Sequence, residues 1–377
     1  MRPDGTVVAA VKAEKGIVES VQRAIGLVGG IDLHGKTVLI KPNAVFGLRP
    51  STGTVTNPLV VDGVIKYLIG KGIKSDNITV GECSAMGYDT KKAFRISGLQ
   101  DICNKYGVRT SVFDDGYATR TFMFDGRKLE IEVAKEVFEN DIIINVPVIK
   151  THFQAGASMA LKNMFGVVSW ESRKTLHKIG LVNGIAYLNS VLPKYFTVGD
   201  ATIGLHGKGP TLLGKPGNWN LIFASGDPVA HDVMVCSIFG LKIPDHVNKA
   251  TQLHVGTDDT KRISLAGDAL QKMKIEPATP DVSPLRNVRI VDGDACSYCM
   301  NYVWTVLYRL SKEDAGKGKH ADVLIGKLLD KCKLDAKTTR IVCGDCASMH
   351  AESGNFVPGC PPKMSEIEKM IRRVLKD

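Results

Sequence analysis

Cys296 and Cys299 stand in a C-x-x-C spacing, and the stretch "CGDCASMHAESGNFVPGCPP" (343–362) carries Cys343, Cys346 and Cys360. Thiolates at such spacings ligate zinc or an iron–sulfur cluster. A C-x-x-C turn points backbone N–H groups at sulfur, Gly359 permits close backbone approach, and Pro361 and Pro362 stiffen the chain beyond Cys360. Cys296, Cys299, Cys346 and Cys360 are therefore the expected ligands of a [4Fe–4S] cluster. Zinc is the alternative, since Cys296/Cys299 with Cys343/Cys346 is formally a four-thiolate pair of knuckles. Residues 300–342 separate those pairs, far more than the roughly 15–20 residues of a zinc ribbon, and Cys360 would have no role. Cys343 is the spare thiol. Cys103, Cys236 and Cys332 fall in helical patterns and are expected in the core, the usual place for a thiol without a partner.

A second group of polar residues sits where apolar runs end. Lys41 and Asn43 end "VLIKPN", Glu82 ends "ITVGE", and Lys150, Thr151 and His152 end "VPVIKTH". Lys162 and Asn163 interrupt the apolar "ALKNMFG", and Asp200 ends "FTVGD". Ligands of open parallel sheets bind beyond the carboxyl ends of the strands. Lys41, Lys150, His152 and Lys162 are cations in such positions, near glycine- and threonine-rich loops that offer N–H donors, so together they suit a carboxylate or phosphate ligand. His152, Lys150 and Lys162 are the expected catalytic groups, with His152 the proton donor because its ordinary pKa lies near neutrality. Lys41, Asn43, Glu82, Asn163 and Asp200 are the expected binding groups, Glu82 or Asp200 orienting a cation or hydroxyl. Neither a Walker A string nor a G-x-G-x-x-G after a strand is present, so ordinary P-loop or dinucleotide binding has no support.

The elements needed to hold these residues are legible. Short β-branched runs at 36–43, 77–84, 140–152, 194–201 and 220–228 read as strands buried on both faces. Between them lie helical patterns such as "NPLVVDGVIKYLIGKG" (57–72), with Asn57 as cap, Pro58 at the first helical position and Gly72 at the stop. Asp227 before Pro228 reads as another cap. Alternation of strand and helix predicts an α/β fold: a mostly parallel-sheet main body over 1–280 and a smaller cysteine-rich α/β region over 281–377, joined at the proline-rich 275–287. In that second region "VRIV" and "TTRIV" are strands running into the cysteine loops, and 364–375 is a closing helix.

The chain of 377 residues has 49 basic and 39 acidic side chains, a net charge of +10, with 44% hydrophobic residues. The basic residues are scattered over helices and form no arm or aromatic-interleaved stripe, which excludes the usual nucleic-acid readers. A basic surface of this kind steers an anionic small-molecule substrate or an acidic redox protein such as a ferredoxin. No apolar run reaches the length that spans a bilayer, and the N-terminal apolar run is too short for a signal-peptide core, so a cytoplasmic protein with reduced thiols is expected.

Two resemblances add to this reading. C-x-x-C followed by Gly-Asp-Cys-Ala and Gly-Cys-Pro-Pro resembles, over about the last ninety residues, the [4Fe–4S]-binding domain of nickel–iron hydrogenase and complex I small subunits. "VLIKPN" with "TGTVTNPLVV", "VPVIKTHFQAGASMALKNMFG" and "GDATIGLHGKGP" with "ASGDPVAHDV" resemble the family catalogued as domain of unknown function 362, known as iron–sulfur-centre proteins. His206 stands where that pattern leads one to expect an acidic residue. The resemblance implies an iron–sulfur protein acting in electron transfer or in reduction of an anionic substrate, an oxidoreductase if it is an enzyme. The rival readings are a non-enzymatic electron carrier or partner subunit, and a zinc-stabilised, transferase-like metabolite binder.

Overall fold

The structure, a computed structural model, describes residues 5–33, 36–85, 88–114, 116–211, 213–277, 283–313, 319–335, 337–353 and 355–376. The chain divides into two compact units, Met1–Thr279 and Pro280–Asp377. Residues 278–282 of the expected linker lie outside the described residues.

In the first unit a large sheet is built from β1 (Thr6–Lys12), β2 (Val38–Pro42), β3 (Ile78–Glu82) and β4 (Arg109–Val112). β5 (Tyr117–Phe124) and β6 (Arg127–Ala134) form a separate antiparallel ribbon. The large sheet continues with β7 (Ile142–Val146), β8 (Val148–His152), β9 (Gly156–Ser158), β10 (Phe196–Gly207), β11 (Gly214–Ser225) and β12 (Ile263–Gly267). Its order is β12-β1-β11-β10-β7-β2-β3-β4, with β8 added to β10 and β9 to β8. The run from β10 through β7, β2 and β3 to β4 is parallel, while β11 is antiparallel to both its neighbours.

Burial explains why the central strands read as unbroken apolar runs. Val38 and Ile40 of β2 pack with Val60, Val64 and Leu68 of the helix Pro58–Gly70 on one face. Leu39 between them packs with Phe113, Ile143 and Leu161 on the other. A strand covered on both faces has no polar side to show. The predicted caps form: the Asn57 side chain accepts from Leu59 N, and the Asp227 side chain from Val229 and Ala230 N.

Two expectations change. The run 140–152 is two strands, broken at Pro147, which has no N–H to give a ladder; β7 pairs with Phe196 and Thr197, β8 with residues further along β10. The strand expected over 194–201 is longer: β10 continues through Gly207 and returns as β11.

The second unit has four parallel strands in the order β13-β14-β15-β16: β13 (Val288–Gly293), β14 (Ala321–Gly326), β15 (Thr339–Cys343) and β16 (Phe356–Val357). The helices Ser297–Lys312 and Met364–Lys376 accompany them. Among the described residues no helix is long and apolar enough to cross a membrane.

Candidate functional site

The three cysteine segments of the second unit leave the carboxyl ends of parallel strands. Cys296 follows β13 and is the N-cap residue of the helix Ser297–Lys312, Cys343 ends β15 and leads to Cys346, and Cys360 follows β16. The edge of β14 between them is kept slim by Gly326, where a Cβ would meet Gly293 O at 2.4 Å. Backbone hydrogen bonds tie the loops together: Gly344 N donates to Val357 O, Asp345 N to Gly359 O, and Gly359 N to the Asp345 carboxylate at 2.6 Å. A Cβ on Gly344, whose φ is +93°, would stand 3.3 Å from Cys299 Sγ.

The thiols sense one another. Cys299 donates to the Cys296 sulfur, which also accepts from the backbone N–H groups of Tyr298 and Cys299, and these contacts bring Cys296 down to about 7 against its burial. The Cys299 thiol is pushed up, first by that hydrogen bond, then by burial and by the nearby charges of Cys296, Cys360 and Cys346. Cys299 is buried and Cys296 half-buried, whereas Cys346 and Cys360 face solvent. None of the nine cysteines is in a disulfide. Among the described residues no group of three or more His, Cys, Asp or Glu side chains is gathered as a single-ion site.

Cys343 is buried, and burial pushes its thiol up to about 12. Cys103 and Cys236 are core residues as expected. Cys332 is not. It follows a short 3-10 turn, is partly exposed, and donates to Asp292 O and Leu328 O.

In the first unit the structure gathers most of the predicted polar residues at the carboxyl ends of β2, β3, β7 and β8. Lys41 Nζ donates to Glu82 Oε2 at 2.6 Å and to Pro42 O at 2.8 Å, with Lys41 1% and Glu82 2% exposed. The Glu82 carboxylate also accepts from Ala44 N and Cys83 N. Next to this pair runs an amide chain: Asn43 Nδ2 donates to Asn163 Oδ1 at 3.0 Å, Asn163 Nδ2 to Asn145 Oδ1 at 2.7 Å, and Asn145 Nδ2 to Ala160 O. Each amide is satisfied, as burial demands. Lys150 is buried, with Nζ donating to Thr54 O at 2.8 Å. Lys162, on the short helix Ala160–Asn163, keeps partial exposure and lies over the Phe165 ring.

Burial lowers all three amines. Lys41 is lowered even though Glu82 opposes the effect. Burial, then the Lys162 and Lys41 charges, bring Lys150 to about 7; burial and Arg173 bring Lys162 to about 8. Lys150 and Lys162 are thus the amines brought toward neutrality, while His152, the expected proton donor, is shifted away from it. His152 is buried, burial and the Lys162 and Lys150 charges push it well below its ordinary value, and its Nδ1 accepts from Gln154 N and Ala155 N. With Nδ1 accepting two backbone N–H groups, the neutral ring is the form this pocket favours, its proton on Nε2.

Asp200 belongs to a different network. One carboxylate oxygen accepts from Asn57 N at 2.7 Å and the other from Thr202 N and Oγ1, an arrangement that anchors the helix Pro58–Gly70. Burial still raises Asp200 to about 6. His206 lies in β10 with Nδ1 3.9 Å from Glu276.

Three participants escaped the sequence reading. Asn145 carried a visible signal, a polar residue inside the apolar "IIINV". Arg173 carried none: it sits in an ordinary polar helix, yet it is buried and gives Nε, Nη1 and Nη2 to the carbonyls of Val168, Ser84 and Cys83. Gly166 is the third. A Cβ there would lie 2.0 Å from Glu82 Oε1 and 2.6 Å from Lys41 Nζ. Because hydrogen bonds hold both partners, Gly166→Ala is expected to destabilise the protein by about 3 kcal/mol, at the high end of overpacking costs. Urea unfolding checks this, and an unchanged midpoint would mean that the pair yields freely.

The fold and this buried centre define an α/β protein with a lysine- and amide-rich polar cluster at its strand ends and a thiol-rich second unit. The chain belongs to the family described as Domain of unknown function (DUF362), whose pattern matches residues 38–237. That span holds every residue of the amine and amide network above and ends before the cysteine unit. A relative, the thylakoid-associated protein sll1697 of Synechocystis sp. (strain ATCC 27184 / PCC 6803 / Kazusa), is 27% identical over 245 residues, 63% of this chain and 73% of the relative. The lactate racemase apoprotein from Thermoanaerobacterium thermosaccharolyticum aligns with 98% of this chain and 81% of its own at 14% identity and a TM-score of 0.41, too loose a likeness to build on.

Proposed function

We propose that this protein is an iron–sulfur redox protein: its C-terminal unit holds a [4Fe–4S] cluster on Cys296, Cys299, Cys346 and Cys360, and its α/β body binds the anionic small molecule that is reduced. The observation that carries the reading is that the three cysteine segments all leave the carboxyl ends of parallel strands in one small sheet, with Cys299 under the influence of Cys296, Cys360 and Cys346. Backbone N–H groups already directed at Cys296 are the donors a negatively charged cluster needs around its sulfurs. When bound, such a cluster supplies single electrons. The body's residues do the rest. Lys41 and Glu82 hold a rigid, internally neutral pair; Asn43, Asn145 and Asn163 fix the ends of β2 and β7 against the helix Ala160–Asn163; Lys150 and Lys162 present the positive charge. Lys150 and Lys162 are also the groups poised to hand over a proton near pH 7–8, where an acid–base group is most effective.

The test is anaerobic purification followed by iron and acid-labile sulfide assay and EPR of the reduced protein. About four irons and four sulfides per chain are expected. Stoichiometric zinc without sulfide would replace the redox reading with the zinc one.

A further inference from the structure

We propose that Lys150, Lys162 and the Thr54 hydroxyl form a binding site for a small oxyanion bearing two negative charges, a phosphate or a dicarboxylate, which enters together with a proton. The inference rests on reading the body as the small-molecule site, but it does not need the cluster.

The charge inventory leads to it. Facing this centre are Lys41 of β2, Glu82 of β3, Lys150 and His152 of β8, Lys162 of the helix Ala160–Asn163, and Arg173 of the helix Trp170–Lys178. His177 of that last helix and His246 of the helix Asp245–Gln252 act electrostatically on His152. Glu82 is the carboxylate among those named from the strand ends, and Lys41 occupies it at 2.6 Å. Among the described residues no carboxylate is within ion-pair distance of Lys150, Lys162 or Arg173. The three Arg173 nitrogens are committed to carbonyl oxygens, so Arg173 supplies field and not contact. Lys150 has three N–H donors, of which Thr54 O takes one.

An independent observation lies on the same loop. Thr54 is 0% exposed, and among the described residues its Oγ1 has no hydrogen-bond partner. The loop is held close by Gly53 (φ +67°), where a Cβ would meet Gly204 O at 2.1 Å. A buried hydroxyl left unmatched costs free energy until something bonds it, and it belongs to the residue whose backbone carbonyl accepts from Lys150 Nζ.

Proton balance follows. Lys150, brought to about 7 by burial and its cationic neighbours, is largely neutral at pH 8. An arriving dianion favours the ammonium form, so Lys150 takes one proton from solvent as the anion binds; no covalent bond changes. Lys162 contributes in the same direction from about 8.

The experiment is titration calorimetry of the full chain at pH 8 with inorganic phosphate and, separately, oxalate, each against chloride at equal ionic strength, in two buffers of different ionisation heat. Saturable binding of either probe with net proton uptake is expected; phosphate alone assigns a phosphoryl ligand and oxalate alone a dicarboxylate. Lys150→Gln and Lys162→Gln should each weaken binding at least about tenfold, the scale of one charge-assisted contact. Lys150→Arg, permanently charged, should bind with less proton uptake. Binding of neither probe, or binding equally tight in both glutamine variants, would overturn the proposal. Iron content is read separately, so loss of the cluster and loss of anion binding remain distinguishable.

Discussion

Cys360→Ser, purified without oxygen, is expected to retain well under half of the parent's iron and sulfide, and Cys346→Ser to behave alike. Both thiols face solvent, at the outer edge of the cysteine loops, and a serine hydroxyl is a poor replacement for a thiolate ligand of iron. Cys296→Ser and Cys299→Ser should lose more, because they lie on the rigid N-terminus of the helix Ser297–Lys312 and carry the N–H donors. Cys332→Ser is the control. Its thiol donates to Asp292 O and Leu328 O, weak contacts that a hydroxyl can replace, and iron content should stay at the parent level. Cys343→Ser should keep iron as well, though it places a hydroxyl where a buried thiol stood and lowers stability. Equal iron loss in Cys332→Ser and Cys360→Ser would remove the ligand assignment. Iron analysis with the visible absorbance of each variant decides the matter.

The second large effect is expected at the buried ion pair. Glu82→Gln leaves Lys41 with its ammonium in the interior and no counter-charge. Breaking such a pair from one side costs about 3–5 kcal/mol, because the surviving charge keeps its desolvation penalty and loses its compensation. The sign of the pH dependence follows. Burial already holds Lys41 below its ordinary value with Glu82 opposing, and without that carboxylate its folded-state pKa falls further. The unfolded chain then binds the proton more readily than the folded one over a wider range, so stability is lost as pH falls from above the unfolded lysine value toward the folded one. Urea unfolding at pH 7 and at pH 10 should therefore show a deficit that shrinks at the higher pH. The double variant Lys41→Met/Glu82→Leu should recover much of the loss, since apolar replacements of similar volume carry no charge to compensate. A Glu82→Gln variant as stable as the parent at pH 7 would show that the pair is not the closed unit its geometry describes.

What this sequence determined alone is what short range controls. β2, β3 and β7 are legible because a strand covered on both faces must be apolar throughout. The helix Pro58–Gly70 is legible because Asn57 and Pro58 are chemically suited to start a helix wherever they occur. The cysteine loops are legible because strand, turn and thiol are contiguous, and tertiary structure needed only to lay β13, β15 and β16 parallel.

The tertiary structure decided the rest. Lys41 meets Glu82 and Asn43 meets Asn163 only because β2 lies beside β3 and the helix Ala160–Asn163 packs against their ends. Arg173 reaches the carbonyls of Cys83 and Ser84, partners far away in the chain that no local pattern announces. His152 shows the limit most clearly: its side chain suggested a group titrating near neutrality, yet burial and two lysines push it well below its ordinary value, while Lys150 is brought to about 7. Charge states in an interior depend on desolvation and on neighbours brought together by folding, and neither quantity resides in any short stretch of sequence.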